Sequence, residues 1–353
     1  MAELRLDGHK LQYHPDRVAD FLAGRPVWPI NAEISPTSSC NHRCRFCNFN
    51  CLGHAARSLP AGKMPALMDE LKRAEVKAVV FAGAGEPSLH PDTFPALRRA
   101  RELGLDAALS TNGAPLGDRQ LREMAELLTW SRFSINGGSP KAYAASQGAD
   151  PADFARVLAN LERLAAHKAR SGSALTIGTQ CVLISENMAT VAELARRVKA
   201  AGADYFSVKH FYPHADNPYQ PDPAGLAPGF LSELERRAGE LSDTGFQWIV
   251  RGEEKLERVR PYRECLGLPF FVYLREDGGL YTCFSHQDDP QTAIGNLLEL
   301  DFATLWQSAG KEAAIRRLNR HYDKNRCQAN CRHHQINLWL DELRRPPPHV
   351  NFI

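Results

Sequence analysis

Ser39-Cys40-Asn41-His42-Arg43-Cys44-Arg45-Phe46-Cys47 is the stretch whose reading decides the fold. The spacing CxxxCxxC puts three thiolates into one short loop, one fewer than a zinc site or a closed cubane takes. A cubane held by three thiolates leaves one iron open to a small molecule. The 353-residue chain has nine cysteines. Cys265, Cys283, Cys327 and Cys331 form a second group of four, enough to close a site, and Cys51 and Cys181 are left over. In a reducing compartment such clusters are read first as metal or cluster ligands rather than disulfides. The expectation is one open site, one saturated site and two spare thiols.

Outward from that loop, strand and helix patterns alternate from about residue 32 to 210. Ala32–Ser35 reads as a strand leading into the cysteines, followed by helix Met64–Glu75, whose Met64, Leu67, Met68 and Leu71 share one face. Strands Ala78–Ala82, Asp106–Ser110, Arg132–Ile135, Leu175–Ile184 and Asp204–Lys209 follow. Helices Asp92–Leu103, Asp118–Leu128, Pro151–Lys168 and Ala189–Ala201 lie between them, and a last helix falls near Pro228–Leu241. Six such steps predict an α/β fold with a parallel sheet and right-handed crossovers, an open partial (β/α)6 barrel. Chemistry is then expected at the C-terminal strand ends. Glycine and polar residues do cluster there: Gly83-Ala84-Gly85-Glu86-Pro87, Ser110-Thr111-Asn112-Gly113, Ser134-Ile135-Asn136-Gly137-Gly138, and Lys209-His210.

Beyond residue 262 the pattern changes. Phe270–Leu274 and Leu280–Cys283 read as a hairpin turning at Glu276-Asp277-Gly278-Gly279, with a helix near Phe302–Leu318 and then the Cys327/Cys331 pair. The expected division is a lead over 1–31, a barrel core over 32–215 and a connecting helical segment over 216–262. A small β-hairpin/helix auxiliary domain over 263–335 and a tail over 336–353 complete it. The tail contains Arg344-Arg345-Pro346-Pro347-Pro348, which cannot be helical.

Composition narrows the partners. Lys+Arg 43 against Asp+Glu 41 leaves +2, which argues against nucleic acid. No apolar run approaches eighteen residues, and the start Met1-Ala2-Glu3-Leu4-Arg5 lacks a signal-peptide pattern, so a cytoplasmic chain with no membrane partner is expected.

The Cys40–Cys47 loop after a first strand resembles the signature of the radical S-adenosylmethionine (SAM) superfamily, with the aromatic Phe46 just before the third cysteine. Gly83-Ala84-Gly85-Glu86-Pro87 is similar to that family's GGEP motif, departing from it at Ala84. The downstream cysteines resemble the smaller "twitch" version of a SPASM-type domain, without the further cysteines of a two-cluster one. The resemblance implies that Cys40, Cys44 and Cys47 hold a [4Fe–4S] cluster whose open iron binds SAM. It implies a 5′-deoxyadenosyl radical that abstracts a substrate hydrogen, with electrons from a reductant such as flavodoxin or ferredoxin. Phe46, Gly83, Gly85, Glu86, Ser134 and Asn136 would then contact SAM. Cys265, Cys283, Cys327 and Cys331 would hold an auxiliary [4Fe–4S] cluster.

Plainer readings stand beside these. The four downstream cysteines also have zinc-ribbon spacing. Glu86 can cap a turn, and Asn112 and Asn136 each precede glycine, as turns require. Lys209 can take an anionic substrate group or simply snorkel. His210, Tyr212 and His214 line a pocket or are ordinary loop residues. Cys51 and Cys181 are small apolar residues or hydrogen-atom donors to a substrate radical. Taken together, the sequence predicts a radical SAM oxidoreductase or epimerase acting on a small polar metabolite such as a sugar, aminocyclitol or nucleoside. The alternatives are a maturase of ribosomal peptides, disfavoured by the short lead before residue 32, and RNA modification, disfavoured by the charge.

Overall fold

A computed structural model describes residues 9–49, 56–212, 217–220, 229–251, 259–328 and 331–352. After a short helix α1 (Pro15–Leu22) the chain alternates β1 (Asn31–Ile34), α2 (Lys63–Arg73), β2 (Ala78–Phe81), α3 (Thr93–Glu102), β3 (Asp106–Thr111), α4 (Asp118–Leu127) and β4 (Trp130–Ser134). Then come α5 (Pro140–Gln147), α6 (Pro151–Ser171), β5 (Thr176–Leu183), α7 (Val191–Ala200), β6 (Tyr205–His210), α8 (Phe230–Leu241) and β7 (Gln247–Val250). The chain closes with β8 (Phe271–Leu274), β9 (Gly279–Tyr281), β10 (Ala293–Asn296), α9 (Phe302–Trp306), α10 (Ala309–His321) and α11 (His333–Arg344).

The local chemistry sets these limits. For α6, the Asp150 side chain accepts from Ala152 N, Pro151 opens the first turn, and Gly172 ends the helix at φ +64°. Its Phe154, Val157, Leu161 and Leu164 are buried, each stabilising the fold by roughly 1.5–3 kcal/mol.

The ten strands among the described residues form one open sheet, β10-β9-β8-β1-β2-β3-β4-β5-β6-β7. β1 to β7 run parallel in sequence order, and β8 joins parallel to the free side of β1, followed by antiparallel β9 and β10. The expected α/β partial barrel with a C-terminal hairpin and helices is therefore what forms, with the hairpin hydrogen-bonded into the same sheet. Strand alternation divides its two faces. Ile34, Phe81, Leu109, Phe133, Ile177, Cys181, Phe206 and Val208 pack with the helices in the main core. Val80, Ala82 and Ala108 form a separate small cluster with Trp130 on the other face, the barrel interior.

Some elements differ from expectation. The segment expected as a helical connection also contributes a seventh strand, β7, too short for its alternation to stand out. The expected helix over Phe302–Leu318 is two, because Ser308 interrupts it and caps α10 by accepting from Gly310 N. Helix α11 runs to Arg344, so part of the expected tail is helical until the prolines stop it. Helix α5 has no counterpart in the sequence reading.

Candidate active site

The cysteine loop leaves β1 and is held from three sides. Arg43 N donates to Gln147 O, Arg45 N to Ser146 O, and Ser38 N to Arg57 O. Glu86 N donates back to Ser39 O at 2.9 Å, tying the β2 end to the loop. Within the loop, Cys47 N donates to Cys44 O and Arg43 Nη1 to Cys40 O. Beneath it His42 is buried, its Nε2 3.3 Å from Asp153 Oδ2 and its Nδ1 3.1 Å from Gln147 Nε2. An amide donor at Nδ1 leaves the proton on Nε2, so His42 is a neutral donor to Asp153. Burial also lowers its pKa, against the pull of Asp153. Gln147 Oε1 in turn accepts from Asn136 N at 2.8 Å.

The two glycines after β2 serve this loop. A Cβ on Gly83 would fall 2.3 Å from Ser35 Cβ, and Gly83 has φ +125°; a Cβ on Gly85 would fall 2.4 Å from the carbonyl oxygens of Thr37 and Ser39. At Gly85 the close approach is to the cysteine loop's own backbone, and at Gly83 it is to the Ser35 side chain at the end of β1. Glu86 is 2% exposed. Its Oε1 accepts from Ser88 N, Ser88 Oγ and Thr111 Oγ1, and its Oε2 from Asn112 N at 2.7 Å. Burial raises its pKa against these bonds. Glu86 thus ties the ends of β2 and β3 together, and its capping reading is realised. Asn112 Nδ2 reaches Asn41 Oδ1 at 2.8 Å and lies 3.9 Å from Cys40 Sγ.

Asn136 is likewise committed, its Oδ1 accepting from Val182 N and its Nδ2 donating to Gln147 Oε1. Ser134 lies at the end of β4, half-buried on the interior parity. Phe46 is half-buried, edge-on to Phe211 with centroids 6.3 Å apart.

Lys209 lies in the barrel interior, its pKa lowered to about 7 by burial and then by Arg132, Arg251 and Arg332, with Glu33 opposing. His210 is buried on the opposite parity of β6, 6.2 Å from Tyr212 between ring centroids. Cys181 requires a correction. It is 0% exposed on the helix-facing side of β5, in register with the equally buried Val208, and Asn187 Nδ2 lies 3.6 Å from its sulfur. Burial alone pushes its pKa far up. A thiol on that face is a core residue and does not reach the interior. Cys51 and His214 lie outside the described residues.

The downstream cysteines flank the hairpin, Cys265 ahead of β8 and Cys283 just after β9. The register sets both toward the N-terminal ends of the parallel strands, away from the mouth. Cys265 Sγ accepts from Asn337 Nδ2 at 3.3 Å, and Cys265 N donates to Asn319 Oδ1. Cys283 feels Cys331, Cys265 and Cys327, and burial with these neighbours raises its pKa well above the usual thiol value. Cys44 is raised in the same way by burial, Cys47 and Cys40. Among the described residues no three His, Cys, Asp or Glu side chains stand close enough to hold a single metal ion. Each group of thiols is nevertheless near enough for mutual repulsion, and a cationic group between them would relieve it. Half-buried, mutually coupled thiols in both groups, the first beside glycines that admit no Cβ, fit iron–sulfur clusters. Side chains join the two regions: Ser35 Oγ to Glu276 Oε2 at 3.2 Å, Phe49 against Phe284 at 5.6 Å, and Gln328 Nε2 to Tyr212 O at 3.3 Å.

Sequence reasoning missed the interior charges Glu33, Arg132, Arg251 and Arg332. The available signal was Arg132 alternating with buried Ser131 and Phe133 in a strand.

Comparison with known proteins agrees with this architecture. Residues 34–208 match the family described as the radical SAM superfamily. The chain is 26% identical over 184 residues to the tungsten-containing aldehyde ferredoxin oxidoreductase cofactor-modifying protein of Pyrococcus furiosus, covering 50% of each. It is 28% identical over 168 residues to the dTDP-4-amino-4,6-dideoxy-D-glucose ammonia-lyase of Streptomyces venezuelae, covering 46% of this chain and 34% of that one. The matched region is thus half or less of these relatives' length. SuiB of Streptococcus suis, in a structure bound to S-adenosylmethionine, superposes with TM-score 0.66 at 18% identity over 96% of this chain and 80% of its own. A second SuiB structure holds the precursor peptide SuiA. No helix among the described residues is long and apolar enough to cross a membrane.

Proposed function

Since the chain belongs to the radical SAM superfamily, whose members work with a [4Fe–4S] cluster and SAM, we propose that it abstracts hydrogen from a small polar metabolite bound in the barrel interior. Cys40, Cys44 and Cys47 would hold the SAM-binding cluster, and Cys265, Cys283, Cys327 and Cys331 an auxiliary one. When bound, the first cluster and SAM supply the carbon radical that removes the hydrogen. The observation that carries this reading is the convergence of the three-thiol loop on the C-terminal strand ends, directly above an interior lined by charged groups.

The protein's own residues position and enclose. The His42–Asp153–Gln147–Asn136 chain fixes the underside of the cysteine loop, and Glu86 fixes the β2 and β3 ends against it. With its side chain so committed, Glu86 leaves the recognition of SAM's amino group to backbone carbonyls near Gly83–Gly85. Phe46, aromatic and half-buried, supplies a surface for the adenine, and Ser134 a hydroxyl for the ribose. The apolar contact of Phe49 with Phe284 closes the mouth toward the hairpin and helps exclude water.

The relatives support a small substrate, since the Streptomyces venezuelae protein is named for a nucleotide sugar. An epimerase needs a hydrogen donor facing the substrate; Cys181 faces the helices, which leaves Cys51 as the candidate donor for that reading. Peptide maturation is the second reading, favoured by the likeness to SuiB. Candidate metabolites and peptides turned over in D₂O decide between these. Loss of two hydrogens supports oxidation, an eliminated group supports a lyase, and deuterium at the abstracted carbon supports epimerisation. Conversion of peptides alone refutes the small-molecule reading.

A further inference from the structure

Helix α11 buries His333, Ile336, Asn337 and Leu340, a stripe at helical spacing. Ile336 and Leu340 pack in one cluster with Leu266 and Phe270, so this face lies against the segment that carries Cys265. Packing alone would take apolar side chains at the other two positions as well. Instead Asn337 is 1% exposed and His333 2% exposed. His333 Nε2 has no hydrogen-bond partner among the described residues. Two polar side chains are thus kept in a core face beside a cysteine.

An amide buried this deeply needs partners for both its ends. Asn337 Oδ1 accepts from Gly267 N at 2.8 Å, and its Nδ2 donates to Cys265 Sγ at 3.3 Å. The first bond fixes the second. Gly267 N can only donate, so the amide oxygen must face it and the NH2 group must face the sulfur. Glycine at 267 permits the approach, since a Cβ there would fall 3.0 Å from Ile336 Cγ2 and 3.3 Å from Asn337 Oδ1. Asn319 holds the same cysteine by its backbone, its Oδ1 accepting from Cys265 N at 2.7 Å. The first thiol group differs: Cys40 Sγ accepts from a backbone amide, His42 N at 3.4 Å, and Asn112 Nδ2 stands off at 3.9 Å.

A hydrogen bond to a ligating sulfur stabilises whichever redox state puts more negative charge on it, and such bonds help set a cluster's potential. Reduction adds one electron to the cluster and its thiolates, so a donor at Cys265 favours the reduced form. We propose that Asn337 raises the reduction potential of the auxiliary cluster through its N–H···S bond to Cys265. Asn337 is thereby a positioning residue, acting on the ligand and not on the substrate. Lys324 also lies within electrostatic reach of Cys265 and Cys327, its ammonium donating to the carbonyls of Leu318, Asn319 and Tyr322. That charge is common to wild type and variant, so their difference isolates the amide. The inference rests on the assignment of Cys265, Cys283, Cys327 and Cys331 to an iron–sulfur cluster.

The test uses the full chain with its clusters restored anaerobically and its iron and zinc counted. Dithionite titrations followed by electron paramagnetic resonance give the two midpoint potentials. The SAM-binding cluster is recognised by the change that SAM makes in its signal, and it serves as the internal reference. Asn337→Leu and the smaller Asn337→Ala remove the same donor with different packing. In both, the reduced auxiliary cluster should lose about tenfold in relative stability, a fall of about 59 mV for a one-electron couple. The reference potential should stay where it is. An unchanged auxiliary potential at wild-type iron content, or an equal shift of both clusters, would overturn the inference alone. Loss of the auxiliary cluster from both variants would make the amide a purely structural group and overturn it too. Zinc in place of iron at the downstream cysteines of the wild type would overturn the assignment beneath it.

Discussion

Replacing Lys209 by methionine keeps the stem and removes the charge, and its effect on stability should depend on pH. The folded chain lowers the Lys209 pKa from 10.5 to about 7, mainly by burial and then by the three arginines. The unfolded chain therefore binds the proton more tightly between these two values. The lysine weakens the fold most below the folded pKa, and the penalty fades as pH rises toward 10.5. At about 1.36 kcal/mol per pKa unit the penalty has a ceiling of about 5 kcal/mol at pH 6 and about 2 kcal/mol at pH 9. Water in the interior lowers both figures, but the sign of the difference stays. Anaerobic thermal melts of both proteins at pH 6, 7.5 and 9 provide the assay. The variant should melt higher at pH 6, with its advantage shrinking steadily toward pH 9. An advantage that is constant with pH, or that grows, would refute the placement of an uncompensated ammonium in the barrel.

The other perturbations address particular contacts. Gly85→Ala should displace the cysteine loop, because its Cβ would lie 2.4 Å from two carbonyl oxygens; iron bound per chain should drop by about four while the hairpin's share remains. Cys181→Ala should cost about 1–2 kcal/mol in stability through lost packing and leave turnover within twofold; a large loss of turnover at unchanged stability would restore it as a hydrogen donor. His42→Leu should lower the melting temperature through the unpaired Asp153 and Gln147, a loss of about 1–3 kcal/mol, and it should reduce cluster retention on gel filtration.

The parts of this molecule legible in sequence are those whose meaning is local. The CxxxCxxC loop, the glycines beside Glu86 and the apolar faces of α2 and α6 are each read within a dozen residues. What could not be read there depends on facing and on distant pairing. Cys181 and Lys209 lie on adjacent strands near the same end, yet one faces the helices and the other the interior, and only the register separates them. Glu86 looks like a ligand contact until Ser88, Thr111 and Asn112 are seen to take up its oxygens. Arg251 comes from a segment that carries no motif, and Arg332 follows a cysteine pair that was read only for its thiols. Glu33 meets Arg332 across 299 positions of chain, a pairing no local pattern announces.

The central claim is that Cys40, Cys44 and Cys47 hold a cluster that acts on SAM. Anaerobic reconstitution followed by iron and zinc analysis, with 5′-deoxyadenosine measured after dithionite addition, tests it most directly. The wild-type chain should bind about eight irons, four for each cubane, and form 5′-deoxyadenosine. Cys44→Ala should bind about four and form none. Zinc in place of the downstream irons would remove the auxiliary cluster only. Equal 5′-deoxyadenosine from the wild type and from Cys44→Ala would contradict the claim itself.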